Sequence, residues 1–225
     1  MKKRFIRLLI IIIAFSGVKA SLAQEQKYSV YWERRASLFE NLPTSKKDII
    51  FLGNSITDGA EWAELFDNPR VKNRGISGDI TQGVLDRLDP IVDGKPAKLF
   101  LLIGINDVSR GISADSIVGS IRLIIERFQQ ESPKTRIYLQ SVLPVNDAFD
   151  NYKKHVSRWE MVPGINEKLK ALALDKNITY IDLFSHFTDE SGAKLNPGYT
   201  NDGLHLMGEG YLKWKELVEP HVNNK

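Results

Sequence analysis

Three side chains of the kinds that together cleave an ester stand in two short stretches of this chain. Ser55 sits on a glycine turn, and Asp202 and His205 lie three residues apart. A serine hydroxyl attacks a carbonyl when a base takes its proton. Histidine, with an unperturbed pKa of about 6.5, is neutral enough at pH 7 to be that base. The spacing from Asp202 to His205 lets one turn of chain bring the carboxylate to the imidazole, where it can hold the tautomer and stabilise an imidazolium. Gly78 offers a backbone N–H and Asn106 a side-chain amide, the donors that a developing oxyanion needs. Each piece also has a plain reading. Gly-Asn-Ser is common turn chemistry, Gly78 fits an ordinary turn, and an asparagine after a strand forms Asx-turns. The other three histidines make weaker cases. His186 has Asp182 four residues before it and Asp189 three after, but Asp182 belongs to a predicted strand, where a structural ion pair accounts for it. His155 and His221 lack a partner pattern and are expected to be exposed, and Asp107 is read as structural.

The elements around these residues decide whether they can meet. Ile49–Leu52 and Leu99–Ile103 are continuous apolar runs rich in β-formers, as in strands of a parallel sheet buried on both faces, and each ends in a glycine. Further strands are read at Val71–Gly75, Arg136–Leu143 and Ile178–Phe184. Helical spacing is read over Tyr28–Leu42, Glu61–Phe66, Thr81–Val92, the stretch capped by Ser113 and stopped by Pro133, Gly164–Lys176 and Gly210–Val222. Val145–Pro163 is long and irregular, which marks a functional loop or a hidden helix. Strands alternating with helices predict one α/β domain: a three-layer α/β/α, flavodoxin-like arrangement with a parallel sheet of about five strands. Parallel strands present their carboxyl ends on one rim. The loops carrying Ser55, Gly78, Asn106 and the Asp202–His205 pair would therefore face one place.

Four blocks in order, FLGNS ending at Ser55, NRGISGD containing Gly78, GIND containing Asn106 and DGLH ending at His205, resemble the SGNH (GDSL-like) esterases and acetylhydrolases. The resemblance spans the mature domain. It implies Ser55 as nucleophile, His205 as base and Asp202 as its partner. It also implies an oxyanion hole built from Ser55, Gly78 and Asn106. Asn54 stands where many members have aspartate, a departure that bears on subgroup rather than chemistry. No G-x-S-x-G motif occurs, which argues against an α/β-hydrolase fold. Trp62, Trp159 and Tyr199 lie near rim loops and are candidates for lining an acyl or sugar pocket, against the commoner alternative of core aromatics.

Composition narrows the function further. Lys2, Lys3, Arg4 and Arg7 precede an apolar run from Leu8, and Ser21-Leu22-Ala23 follows it. That is the form of a secretory signal peptide over residues 1–23, with a single hydrolase domain over 24–225. The apolar run is shorter than the about 20 residues a membrane span needs. A leader left uncleaved would act as an anchor; a cleaved one implies export to a periplasmic or extracellular space. Removing the five basic residues of the leader leaves 26 Lys and Arg against 28 Asp and Glu, a formal charge of −2. This balance argues against nucleic acid as a partner. The absence of cysteine excludes disulfides, thiolate metal sites and a lipidated cysteine. Scattered histidines disfavour a zinc site, and neither a dinucleotide nor a Walker signature occurs, so no cofactor is expected. The leading expectation is a secreted serine esterase. The ester chemistry follows from the constellation of residues, and the resemblance implies in addition that it releases short acyl groups, acetyl above all, from a carbohydrate or similar ester. A lipid-directed acetylhydrolase, lysophospholipase or thioesterase is the alternative. A non-catalytic glycan-binding module on the same scaffold is the alternative of another class.

Overall fold

The computed structural model describes residues 27–224; the proposed leader lies outside them. Five parallel strands, β1 (Ile49–Gly53), β2 (Val71–Gly75), β3 (Lys98–Leu102), β4 (Arg136–Gln140) and β5 (Thr179–Ile181), form one sheet in the order β2-β1-β3-β4-β5. β1 and β3 are buried at every position, as their unbroken apolar runs require of central strands. In-register pairing sets Phe51 beside Phe100 and Phe100 beside Tyr138. The three rings stack at centroid distances of 4.7 and 4.6 Å, and Trp62 continues the row onto Phe51 at 4.1 Å.

Helices connect these strands. α1 (Val30–Asn41) precedes the sheet, and the short α2 (Ser55–Asp58) and α3 (Trp62–Leu65) lead from β1 to β2. Next come α4 (Thr81–Asp86) and α5 (Asp89–Asp93), then α6 (Ile105–Ser109) and α7 (Ala114–Glu131). α8 (Lys153–Val156), α9 (Met161–Asp175), α10 (Phe184–Phe187) and α11 (Gly208–Asn223) complete the chain. α3 and α11 cover the Phe51 face, where Trp214 meets Trp62 edge-on at 4.8 Å. α7, packed against α4, α5 and α9, belongs to the opposite layer, as right-handed crossovers require. α7 starts where Ser113 Oγ accepts the Ser116 N–H, and it buries Ile117, Ile121, Ile124, Ile125 and Phe128 along one stripe.

Several sequence expectations shift in detail. The single helix read over Thr81–Val92 is two helices, broken at Arg87–Leu88. Pro90 has no N–H for a continuous helix, and its ring would collide with the carbonyl four residues back; it is tolerated in the first turn of α5 instead. α9 begins at Met161 rather than Gly164, because Pro163 also falls in a first turn, where its missing N–H is not needed. β5 is only three residues long, and Phe184 starts a helical turn instead of ending a strand. The irregular stretch does contain a hidden helix, α8.

Candidate active site

The candidate residues leave the carboxyl edge of the sheet on four connections, with Asp202 and His205 sharing one. β1 ends at Gly53, where a Cβ would lie 2.3 Å from the Leu102 carbonyl and 2.3 Å from Thr57 Oγ1, so only glycine lets the chain turn there. Asn54 Oδ1 then accepts the Ile56 N–H at 3.0 Å and caps α2. Ser55 is thus the first residue of α2, and its N–H has no intrahelical acceptor. After β2, Gly78 adopts φ +80°, a left-handed conformation that favours glycine. Asp58 Oδ2 accepts both the Ser77 N–H and the Ser77 hydroxyl at 3.2 Å, and Arg110 Nη2 donates to the Gly78 carbonyl at 3.1 Å, which secures this loop. Among the described residues, neither the Ser55 nor the Gly78 N–H donates to another protein group.

Asp202 and His205 come from the far side of the sheet, on the long connection after β5. That connection is carried back across the rim by Asn146, whose N–H donates to Gly203 O at 2.8 Å and whose Nδ2 donates to Leu195 O at 2.8 Å. Tyr211 on α11 fastens it to the serine turn by donating to Ile56 O at 3.0 Å. As a result Ser55 Oγ lies 2.9 Å from His205 Nε2, across 150 positions of sequence, and His205 Nδ1 lies 2.7 Å from Asp202 Oδ2. A carboxylate only accepts, so Nδ1 carries the proton and Nε2 is left to accept from the serine hydroxyl. Asp202 Oδ1 accepts the N–H groups of Leu204 (2.9 Å) and His205 (2.8 Å). Partial burial opposes ionisation of Asp202, but these donors and the imidazole outweigh it and hold the carboxyl below its ordinary value.

Ser55, Gly78, Asn106 and His205 line one cavity of about 290 Å³, so the residues singled out in sequence converge. Asn106 Nδ2 donates to the Asp79 carbonyl at 2.7 Å. Asp107, read as structural, is fully buried and accepts from Thr81 Oγ1 at 2.6 Å. Exposed His186 lies away from this cavity, and Asp182 instead accepts the Ser185 N–H at 3.1 Å. Among the described residues, no group of three or more His, Cys, Asp or Glu is placed to hold a metal ion.

Trp62 follows the commoner of its two readings, a core aromatic: it is fully buried and stacked on Phe51, and neither Trp159 nor Tyr199 lines the cavity. His155, expected to be exposed, is half-buried in the cavity wall with Nε2 2.9 Å from Asn106 Oδ1. Tyr152 and Arg110 also line the cavity and were missed. For Tyr152 and His155 the one sequence signal was the length of the 145–163 stretch, which singled out the loop but not the residues; Arg110, at the end of α6, carried none.

Comparison with known proteins adds the lineage. Residues 51–213 match the model of the GDSL-like Lipase/Acylhydrolase family. Platelet-activating factor acetylhydrolase IB subunit alpha2 of Rattus norvegicus is 28% identical over 174 residues, covering 74% of this chain and 72% of the relative. The crystal structure of a GDSL-like lipase from Bacteroides thetaiotaomicron superposes with a TM-score of 0.73 at 25% identity, covering 85% of this chain and 96% of that one. An acetylxylan esterase from Geobacillus stearothermophilus shares the fold, with a TM-score of 0.65 at 18% identity over 81% of this chain and 96% of its own. The chain belongs to the GDSL-like lipase/acylhydrolase family of SGNH hydrolases and is an ester-hydrolysing serine hydrolase.

Proposed function

We propose that this protein is an exported esterase that removes short acyl groups, acetyl above all, from carbohydrate hydroxyls. Ser55 is the nucleophile. His205 takes its proton as Oγ attacks the acyl carbon and then gives that proton to the departing alcohol. Asp202 keeps the proton of the imidazole on Nδ1 and stabilises the imidazolium formed in between. The negative charge on the former carbonyl oxygen meets the N–H groups of Ser55 and Gly78 and the amide of Asn106, donors typically worth about 2.7–4 kcal/mol each in the transition state. A water activated by His205 then attacks the acyl-enzyme and releases the acid, restoring Ser55.

The observation that carries this reading is the Ser55–His205–Asp202 hydrogen-bonded series opening into the cavity shared with Gly78 and Asn106. A cavity of about 290 Å³ suits a small acyl group. Ser77, Ser109, Arg110 and His155 on its wall suit an alcohol rich in hydroxyls. A second reading, a lipid-directed acetylhydrolase, draws on the relative that is named for acting on platelet-activating factor. Both readings share the acetyl group and differ in the alcohol.

Hydrolysis of p-nitrophenyl acetate by the wild type and Ser55→Ala tests the chemistry. Turnover is expected to fall to background in the variant, and equal rates in both would end the proposal. Initial rates on acetylated xylo-oligosaccharides, 2-acetyl ether phospholipid and long-chain acyl esters separate the alcohols; a preference for either lipid substrate would transfer the assignment to the second reading. Export is tested by the N-terminus of protein recovered outside the cytoplasm, expected to begin at Gln24.

A further inference from the structure

We propose that His155 is a positioning residue for this hydrolysis: its Nε2–H holds the Asn106 carboxamide in the orientation that turns an N–H toward the acyl oxygen. The inference rests on the reading of Asn106 as an oxyanion donor and extends it to a residue outside the four family blocks. Asn106 is gripped at both ends of its amide. Nδ2 donates to the Asp79 carbonyl at 2.7 Å, and Oδ1 lies 2.9 Å from His155 Nε2. An amide oxygen only accepts, so Nε2 must carry the proton. The amide nitrogen has two N–H bonds, of which Asp79 takes one; the other is left for the cavity that Asn106 lines. With Asp79 alone the carboxamide could pivot about that single bond. A second partner at the oxygen fixes its plane. Donation to Oδ1 also polarises the amide and strengthens its remaining N–H.

The chain around His155 is built for this placement. Tyr152, just before α8, adopts φ +50° and ψ +37°, a left-handed conformation that a bulky side chain rarely takes and that concentrates at functional sites. From there the Tyr152 ring packs edge-on against His205 at 4.8 Å, while α8 presents His155 to Asn106 three residues later. α8 packs on α6, the helix that carries Asn106. Burial, His205 and the Arg110 guanidinium all push the His155 pKa below the ordinary imidazole value, which favours a neutral ring with its one proton on Nε2.

Steady-state hydrolysis of p-nitrophenyl acetate by the full chain tests the inference, using His155→Leu, His155→Gln, Asn106→Ala and the double variant His155→Leu/Asn106→Ala, each assayed well below its own melting temperature. A displaced donor costs up to about 100-fold in rate, so His155→Leu is expected to lower kcat about 10–100-fold with KM nearly unchanged. His155→Gln, whose amide nitrogen reaches the place of Nε2, is expected to recover most of that loss. In the Asn106→Ala background the leucine substitution is expected to cost nothing more, because the group it positions is gone. Equal losses in both backgrounds, glutamine no better than leucine, or a change confined to KM would each overturn the positioning role while leaving the proposed function intact. Full turnover in Asn106→Ala would instead remove Asn106 from the oxyanion hole and take this inference with it.

Discussion

The two carboxylate oxygens of Asp202 have separate tasks. Oδ1 accepts the backbone N–H groups of Leu204 and His205, while Oδ2 faces His205 Nδ1. That division predicts what Asp202→Asn does. The amide oxygen can keep the backbone N–H partners, which leaves the NH2 group pointing at Nδ1. Two donors cannot share that contact, so the imidazole moves its proton to Nε2 and can no longer accept from Ser55. A fall in kcat of about 10⁴ is expected with little change in melting temperature. A loss of less than about tenfold in steady-state assays would show that Asp202 does not set the tautomer. At this scale Ser55, Gly78, Asn106, Asp202 and His205 could be read from their four blocks, since each lies within a few residues of its local context. His155 could not. Its partner Asn106 is 49 positions away, and no local spacing records that contact.

The last helix ends on the sheet through a buried lysine. Lys98, the first residue of β3, donates from Nζ to the carbonyls of Val222 (2.7 Å) and His221 (2.9 Å) and to Asn224 Oδ1 (2.8 Å). A cation there satisfies carbonyls that the end of α11 leaves without partners and opposes the negative end of its dipole. Lys98→Met keeps the length of the side chain but strands those acceptors, and it is expected to cost about 2–3 kcal/mol in urea unfolding. Lys98 lies at the opposite edge of the sheet from Ser55, so kcat should not change; undiminished stability would show that water replaces the lysine without penalty. Elements with a strong period were legible in sequence, α7 above all, because Ser113 and Pro133 punctuate a regular stripe of isoleucines. The run over residues 81–92 kept its period through a break, since apolar residues on either side of Arg87–Leu88 still face the core. Periodicity reports burial, and the backbone constraint of Pro90 overrode it.

For the molecule as a whole, imidazoles shape the response to acid. Burial, with the Lys98 ammonium nearby, lowers the His221 pKa below its ordinary value. The unfolded chain takes up that proton near pH 6.5, before the folded protein does. The contribution of this group to stability is therefore present above about pH 6.5 and is lost as pH falls through the lower folded-state value. Urea midpoints at pH 7.5 and 5.5 are expected to drop further in the wild type than in His221→Gln. Equal drops would mean that the folded and unfolded chains protonate this imidazole alike. The strand order places the change of direction between β1 and β3, and crevices at such points take ligands in open α/β sheets. Ser55 and Asn106 leave from those two strands.

The amino-acid sequence alone determined the fold class, the central strands and the types of side chain at the rim, because buried runs, glycine turns and short motifs are properties of neighbouring residues. The tertiary structure decided which groups touch. Ser55 meets His205, and Asn106 meets His155, only because the long connections after β4 and β5 fold back over the rim. The hydrogen bonds that carry them there, such as Asn146 to Gly203, join positions whose proximity no local pattern encodes.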